Sequence, residues 1–173
     1  MALLEQVEAG KSRRPRRILV YGVHGVGKST FASQSENPIT IQTEQGMEDI
    51  GTPRFPLAES FEQVEAAVDE LRDGRHDFHT LIIDSVSWLE TLTINATCQR
   101  NGLSSLSDAA FGRGYALHAD LVRSFLNRLE ELRNARSMQL IMIAHAKIET
   151  YNDPTSEPYH RYYPKLDKRI SSL

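Results

Sequence analysis

Residues 22–29 read GVHGVGKS, directly after the short apolar run Ile18, Leu19, Val20 and Tyr21. The run reads as a strand, and the eight residues after it have the G-x-x-x-x-G-K-[ST] spacing of a phosphate loop. Glycines there let successive backbone N–H groups curl towards phosphate oxygens, and a helix opening at Lys28 adds the positive end of its dipole. Lys28 would reach the β- and γ-phosphates, and Ser29 would offer a hydroxyl to Mg²⁺. The expected cradle for ATP and Mg²⁺ is therefore Gly22, Val23, His24, Gly25, Val26, Gly27, Lys28, Ser29 and Thr30. A plain glycine-rich turn is the alternative. Placement between a strand and a helix start weighs against it.

The pattern downstream alternates strands and helices. The helix from Lys28 must stop near Asn37 and Pro38, because proline lacks a donor and disfavours helix in the residue before it. Ile39 to Thr43 reads as a second strand, and Pro53 and Pro56 leave room only for a short edge strand around Phe55. Ser60 and Gln63 have capping-box spacing ahead of Phe61, Val64, Ala67, Val68 and Leu71, a helical stripe ended by Gly74. Thr80 to Ser85 is a continuous apolar run ending in an acid, the signature of a central parallel strand. A helix carrying Trp88, Leu89 and Leu92 follows, then one from about Tyr115 to Arg133, then a buried strand over Met138 to Ala144. Such alternation implies an α/β fold, a mostly parallel sheet with helices on both faces.

Asp84 ends its strand at the sheet edge where ligands of open α/β sheets bind. Alone, an acid there is most often a helix cap. Behind a phosphate loop, it is expected to hold Mg²⁺ through water and so complete what Ser29 begins. Glu44, just past the second strand, is the best candidate to take the proton of an attacking water, with Glu48 and Asp49 as competitors and a solvated loop acid as the alternative. His145 ends the fourth strand, where it could sense the γ-phosphate or be a satisfied strand-end residue.

Composition narrows the setting. With 173 residues the chain has the length of one domain, and its net charge of −3 argues against coating nucleic acid with the whole surface. The single cysteine, Cys98, excludes an internal disulfide and reads as a small buried hydrophobe. No apolar stretch reaches the roughly 18 residues of a membrane span, so a cytoplasmic location is expected. Residues 1–16 form a basic N-terminal arm holding Lys11, Arg13, Arg14 and Arg16, with Arg17 at its junction with the main domain, residues 17–173. The arm could touch nucleic acid or be a solvated lead-in.

The segments GVHGVGKS, ITIQTEQG, TLIIDS and IMIAHAK, in this order, resemble the RecA-like P-loop ATPases, and most closely phage nucleotide-binding proteins of the AAA-annotated type related to single-strand annealing recombinases. The resemblance implies a catalytic set of Lys28, Glu44, Asp84 and His145: Glu44 the catalytic glutamate, Asp84 the Walker B acid, His145 the sensor before a mobile DNA-facing loop. It also implies ATP hydrolysis serving DNA recombination or replication, in the host cytoplasm if the gene is phage-borne. RecA-like cores usually continue past the IAHAK strand, whereas this sequence stops at Leu173 after an expected helix. A C-terminally truncated core of about four strands with an unprotected edge is expected, either a fragment or one covered by a partner.

The segment after His145 bears on the partner. Tyr151, Tyr159, Tyr162 and Tyr163 lie close to Arg161, Lys165 and Lys168. Aromatic faces for bases beside cations for phosphates suit single-stranded DNA, though Pro154 and Pro158 also fit an ordinary ordered loop. Phe111 to Gly114, ahead of the long helix, could be a flexible nucleic-acid or inter-subunit loop, and Arg113 could reach a neighbour's γ-phosphate in a homo-oligomer or be a solvated hinge residue. A nucleotide switch with little turnover remains the main alternative to an ATPase. A small-molecule kinase is disfavoured by the lack of an arginine-rich lid.

Overall fold

A computed structural model describes residues 14–172; Lys11 and Arg13 of the expected arm lie outside them, as does Leu173. The elements are β1 (Arg17–Gly22), α1 (Lys28–Ser33), β2 (Pro38–Gln42), α2 (Phe61–Asp73), β3 (Thr80–Asp84), α3 (Val86–Asn101), α4 (Arg113–Arg136), β4 (Gln139–Tyr151) and β5 (Tyr159–Pro164). Strand order is β1-β4-β3-β2, all parallel, with β5 antiparallel to the far half of β4. The fold is α/β with a mostly parallel sheet, as the alternation of patterns implies.

Every residue of β3 is buried, because helices cover both of its faces. Leu81 and Ile83 point into the large core beneath α2, α3 and α4, while Ile82 joins Ala32 of α1, Ile141 and Ile143 on the other face. Burying each such aliphatic side chain contributes about 1.5–3 kcal/mol. The α2 stripe Phe61, Val64, Val68 and Leu71 meets Phe125, Leu129 and Leu132 of α4, and the Phe61 and Phe125 rings pack edge to face at 5.2 Å. The Ser60 hydroxyl accepts the Gln63 N–H at 3.4 Å, and the Gln63 amide oxygen accepts the N–H of Glu59 rather than that of Ser60. Cys98 is buried.

Five expectations are corrected. β4 does not end at His145: that residue closes the ladder with β1 opposite Gly22, and the strand continues to Tyr151. The segment read as a loop is a β-hairpin, in which Ala146 to Tyr151 pairs with Tyr159 to Pro164, so among the described residues the sheet has five strands. Its tyrosines favour strand, and Pro154 and Pro158 fall in the connection, where no ladder bond is lost. In place of a final helix, residues after Leu166 make turns, with the Ile170 and Ser171 N–H groups on the Asp167 carbonyl. Phe111 to Gly114 is not a loop but a short 3₁₀ turn that runs into α4. Gly112, at φ 71°, caps α4, and buried Gly114 lies so close to the Leu106 carbonyl that no β-carbon fits. The short strand expected near Phe55 is a single bridge between Thr40 and Arg54.

Parallel pairing brings strand ends to a common rim. Gly22 lies opposite His145, Asp84 opposite both Ile143 and Gln42, and Glu44 follows two residues after Gln42. Among the described residues no helix is long and apolar enough to cross a membrane.

Candidate active site

A cleft of about 270 Å³ opens at this rim between the phosphate loop and the segment after β2. His24, Gly25, Gly27, Lys28, Ser29 and Thr30 line one side; Glu44, Asp84 and His145 line its floor. Gly25 and Gly27 hold φ of 76° and 89°, left-handed values that favour glycine, and these turn the loop back on itself. Gly22, Val23 and Val26 do not line the cleft. The carbonyls of Gly22 and Val23 accept the Lys28 ammonium at 3.2 and 2.9 Å, so that cation is held at the loop's own backbone. Val26 leans its side chain towards Gly22 and is otherwise exposed.

The Ser29 hydroxyl donates to Asp84 Oδ2 at 2.5 Å, joining the start of α1 to the end of β3. Asp84 is 5% exposed. Burial pushes its carboxyl above the usual range; the Ser29 bond acts against this, and the nearby Glu44 charge reinforces it. Its one hydroxyl partner carries no charge, and the nearby Lys28 and His145 offset only part of the burial cost, so the carboxylate is short of compensating charge. A divalent cation carried in on phosphates would supply it, with the Ser29 and Asp84 oxygens as hard donors. Among the described residues no trio of His, Cys, Asp or Glu is placed to cage a metal by itself.

Glu44 is held by His145, whose Nε2 donates to Oε1 at 2.8 Å and Oε2 at 3.0 Å. Glu48 and Asp49 are exposed and line no part of the cleft. The preceding residue, Thr43, was not singled out from sequence. Its backbone N–H bonds the Asp84 carbonyl, and its hydroxyl accepts the Ser85 N–H at 2.9 Å and donates to the Ser85 carbonyl at 2.6 Å. Thr43 thereby locks the end of β2 to the end of β3, fixing Glu44 relative to Asp84. Ser87 was missed too: its hydroxyl accepts the His145 N–H at 3.1 Å. The sequence signal for both is an alcohol beside each acid-bearing strand end, which is too common to single out alone.

A family model described as an AAA domain matches residues 14–173. The chain belongs to this AAA domain family. No curated protein matches it. As an AAA domain the chain is a nucleotide-binding domain of ATPase type, and its phosphate loop, Ser29 and Asp84 form one cleft in keeping with that.

The other expected contacts of the AAA domain lie apart from the cleft. On the hairpin, strand alternation splits the aromatic cluster: Tyr151, Tyr159, Arg161 and Tyr163 share one face with Lys147 and Glu149, while Tyr162 sits opposite Ile148 on the other. The Arg161 guanidinium lies 3.9 Å from the Tyr151 ring centre and 4.8 Å from that of Tyr159, and it bonds the Tyr159 hydroxyl. Lys165 and Lys168 follow the hairpin and are exposed. Arg113 is exposed at the start of α4 and does not line the cleft. At the edge of the arm, the Arg133 guanidinium bonds the Pro15 carbonyl and Arg17 pairs with Glu130 at 3.0 Å.

Proposed function

We propose that this AAA domain hydrolyses Mg²⁺·ATP and couples that turnover to single-stranded DNA, in recombination or replication of the phage type its sequence resembles. The observation that carries the hydrolysis reading is the Glu44–His145 pair in the same cleft as Lys28, Ser29 and Asp84. Bound with ATP, Mg²⁺ would supply charge neutralisation at the phosphates, held by the Ser29 hydroxyl and, through water, by Asp84. Lys28 leaves the Gly22 and Val23 carbonyls to meet the phosphates. Glu44 orients a water and accepts its proton, and Thr43 holds Glu44 in register with Asp84.

His145 gives the coupling its route, since its ring meets Glu44 while its strand runs on into the hairpin. The hairpin supports the nucleic-acid half of the reading. Ile148 and Tyr162 are 62% and 56% exposed, and Lys165 and Lys168 follow them. Exposed aromatic faces beside cations bind single strands by stacking and charge. A second reading, a switch with little turnover, is favoured by the same pair: the His145 bond holds the carboxylate and competes with a water for its oxygens. Among the described residues no arginine lines the cleft, which disfavours a kinase lid.

The test is phosphate release with and without single-stranded DNA, run beside Lys28→Ala. The proposal requires turnover that DNA stimulates and Lys28→Ala abolishes. Tight ATP binding with no turnover under either condition would refute it in favour of the switch.

A further inference from the structure

On the far side of the Glu44–His145 pair lies a second cavity, of about 440 Å³, outside the nucleotide cleft. Glu44 and His145 form the wall the two share. Trp88 stands at its edge with half of its surface exposed, an unusual state for the largest apolar side chain. Lys147 and Lys165 supply cations. The Lys147 ammonium is tied down, bonding the Leu166 carbonyl at 2.9 Å and pairing with Glu149 at 3.0 Å, whereas Lys165 is exposed and makes no ion pair among the described residues. Two acids also face the cavity. Glu44 is occupied by His145, and Glu90 is occupied by the Asp167 N–H at 2.8 Å.

His145 is wired to this cavity at three points. Its N–H bonds the hydroxyl of Ser87, the neighbour of Trp88; its carbonyl accepts the Lys165 N–H at 2.7 Å; and its ring holds Glu44. A ligand that shifts the Ser87–Trp88 segment or the Lys165 backbone therefore moves a group bonded to the residue that restrains Glu44.

We propose that this cavity receives one nucleotide unit of a single-stranded nucleic acid, with the base stacked on the Trp88 indole and the adjoining phosphate at Lys165, and that occupancy shifts His145 to release Glu44. The inference rests on the nucleic-acid reading above and locates it at a place distinct from the hairpin tyrosines. An aromatic face next to an exposed cation matches a base and its phosphate, and an indole stacks any base, so binding is tolerant of sequence.

Trp88 is the only tryptophan in the chain, so its fluorescence reports this site alone. Oligothymidylate and oligouridylate are titrated into the full chain, reading tryptophan emission and, in parallel, the anisotropy of end-labelled oligomer. Quenching that follows the anisotropy curve is expected, and the two oligomers separate deoxyribose from ribose chains. One stack is worth about 1–3 kcal/mol, so Trp88→Ala weakens oligomer binding by about 5- to 150-fold, whereas Trp88→Phe keeps most of the affinity. Lys165→Ala lowers the salt dependence by about one phosphate contact. Melting temperature and binding of an ATP analogue check that each variant is folded. Oligomer binding without quenching, unchanged in Trp88→Ala, overturns this site and leaves the broader function standing. Absence of any oligomer binding overturns both.

Discussion

Replacing Glu44 by Gln separates chemistry from structure at the cleft. The carboxylate makes its two contacts with one donor, His145 Nε2, at 2.8 and 3.0 Å. Glutamine has the same heavy-atom shape and retains one carbonyl oxygen to accept that N–H, so the side chain keeps its place. What disappears is basicity. General-base assistance is worth about 10²- to 10⁴-fold in rate, equivalent to about 2.7–5.4 kcal/mol in the barrier. The cost to folding is far smaller, because a charge-assisted hydrogen bond becomes a neutral one, a change of about 1 kcal/mol. Single-turnover phosphate release from saturating Mg²⁺·ATP should therefore fall about 10²- to 10⁴-fold, while the affinity for a fluorescent ATP analogue stays within about threefold. Turnover close to that of the parent would show that Glu44 is not the base. Loss of affinity in step with turnover would show that it shapes the cleft instead.

Three further perturbations follow from the packing. Burial raises the Asp84 carboxyl, so the folded state holds that proton to higher pH than the unfolded chain and the ionised form costs stability as pH rises above about 4. Asp84→Asn should raise the nucleotide-free melting temperature and abolish the Mg²⁺-dependent tightening of ATP binding; a lower melting temperature with intact Mg²⁺ dependence would contradict this. His118 is buried against the Thr93 hydroxyl at 2.9 Å, and burial holds its imidazole below the ordinary 6.5. The unfolded chain then binds the proton first, so stability is lost as pH falls below about 6.5; urea titrations at pH 7.5 and 5.5 should show a steeper loss for the parent than for His118→Gln. Gly114→Ala forces a methyl group against the Leu106 carbonyl and should cost about 1–3 kcal/mol, or about 2–4 °C of melting temperature per kcal/mol in a domain of this size. Arg113→Ala next door, at an exposed position, should leave the melting temperature unchanged.

The hairpin and the Phe111 segment show where sequence reading misled. Prolines 154 and 158 signal a break, and the break is real, but it is the connection of a hairpin whose two arms pair only once β4 projects beyond the sheet. Gly112 and Gly114 look alike in sequence and differ in cause. The first is glycine for its left-handed φ of 71°, the second because a carbonyl from the preceding turn occupies the space of a side chain. Trp88 read as one more apolar residue on a helix, and only its half-exposed position beside Lys165 gives it another meaning.

The amino-acid sequence by itself determined the phosphate loop and the two central strands. Glycine's tolerance of positive φ, the order of Lys28 and Ser29 after it, and unbroken apolar runs are local properties that need no partner to be legible. It also placed Asp84 and Glu44 at strand ends. Only the tertiary structure decided what those ends meet. Parallel pairing of β4 with both β1 and β3 sets His145 opposite Gly22 and beside Glu44, 101 residues away in sequence, and ties its backbone to Ser87 and Lys165. Such contacts depend on strand order and register, which no periodicity in the chain encodes.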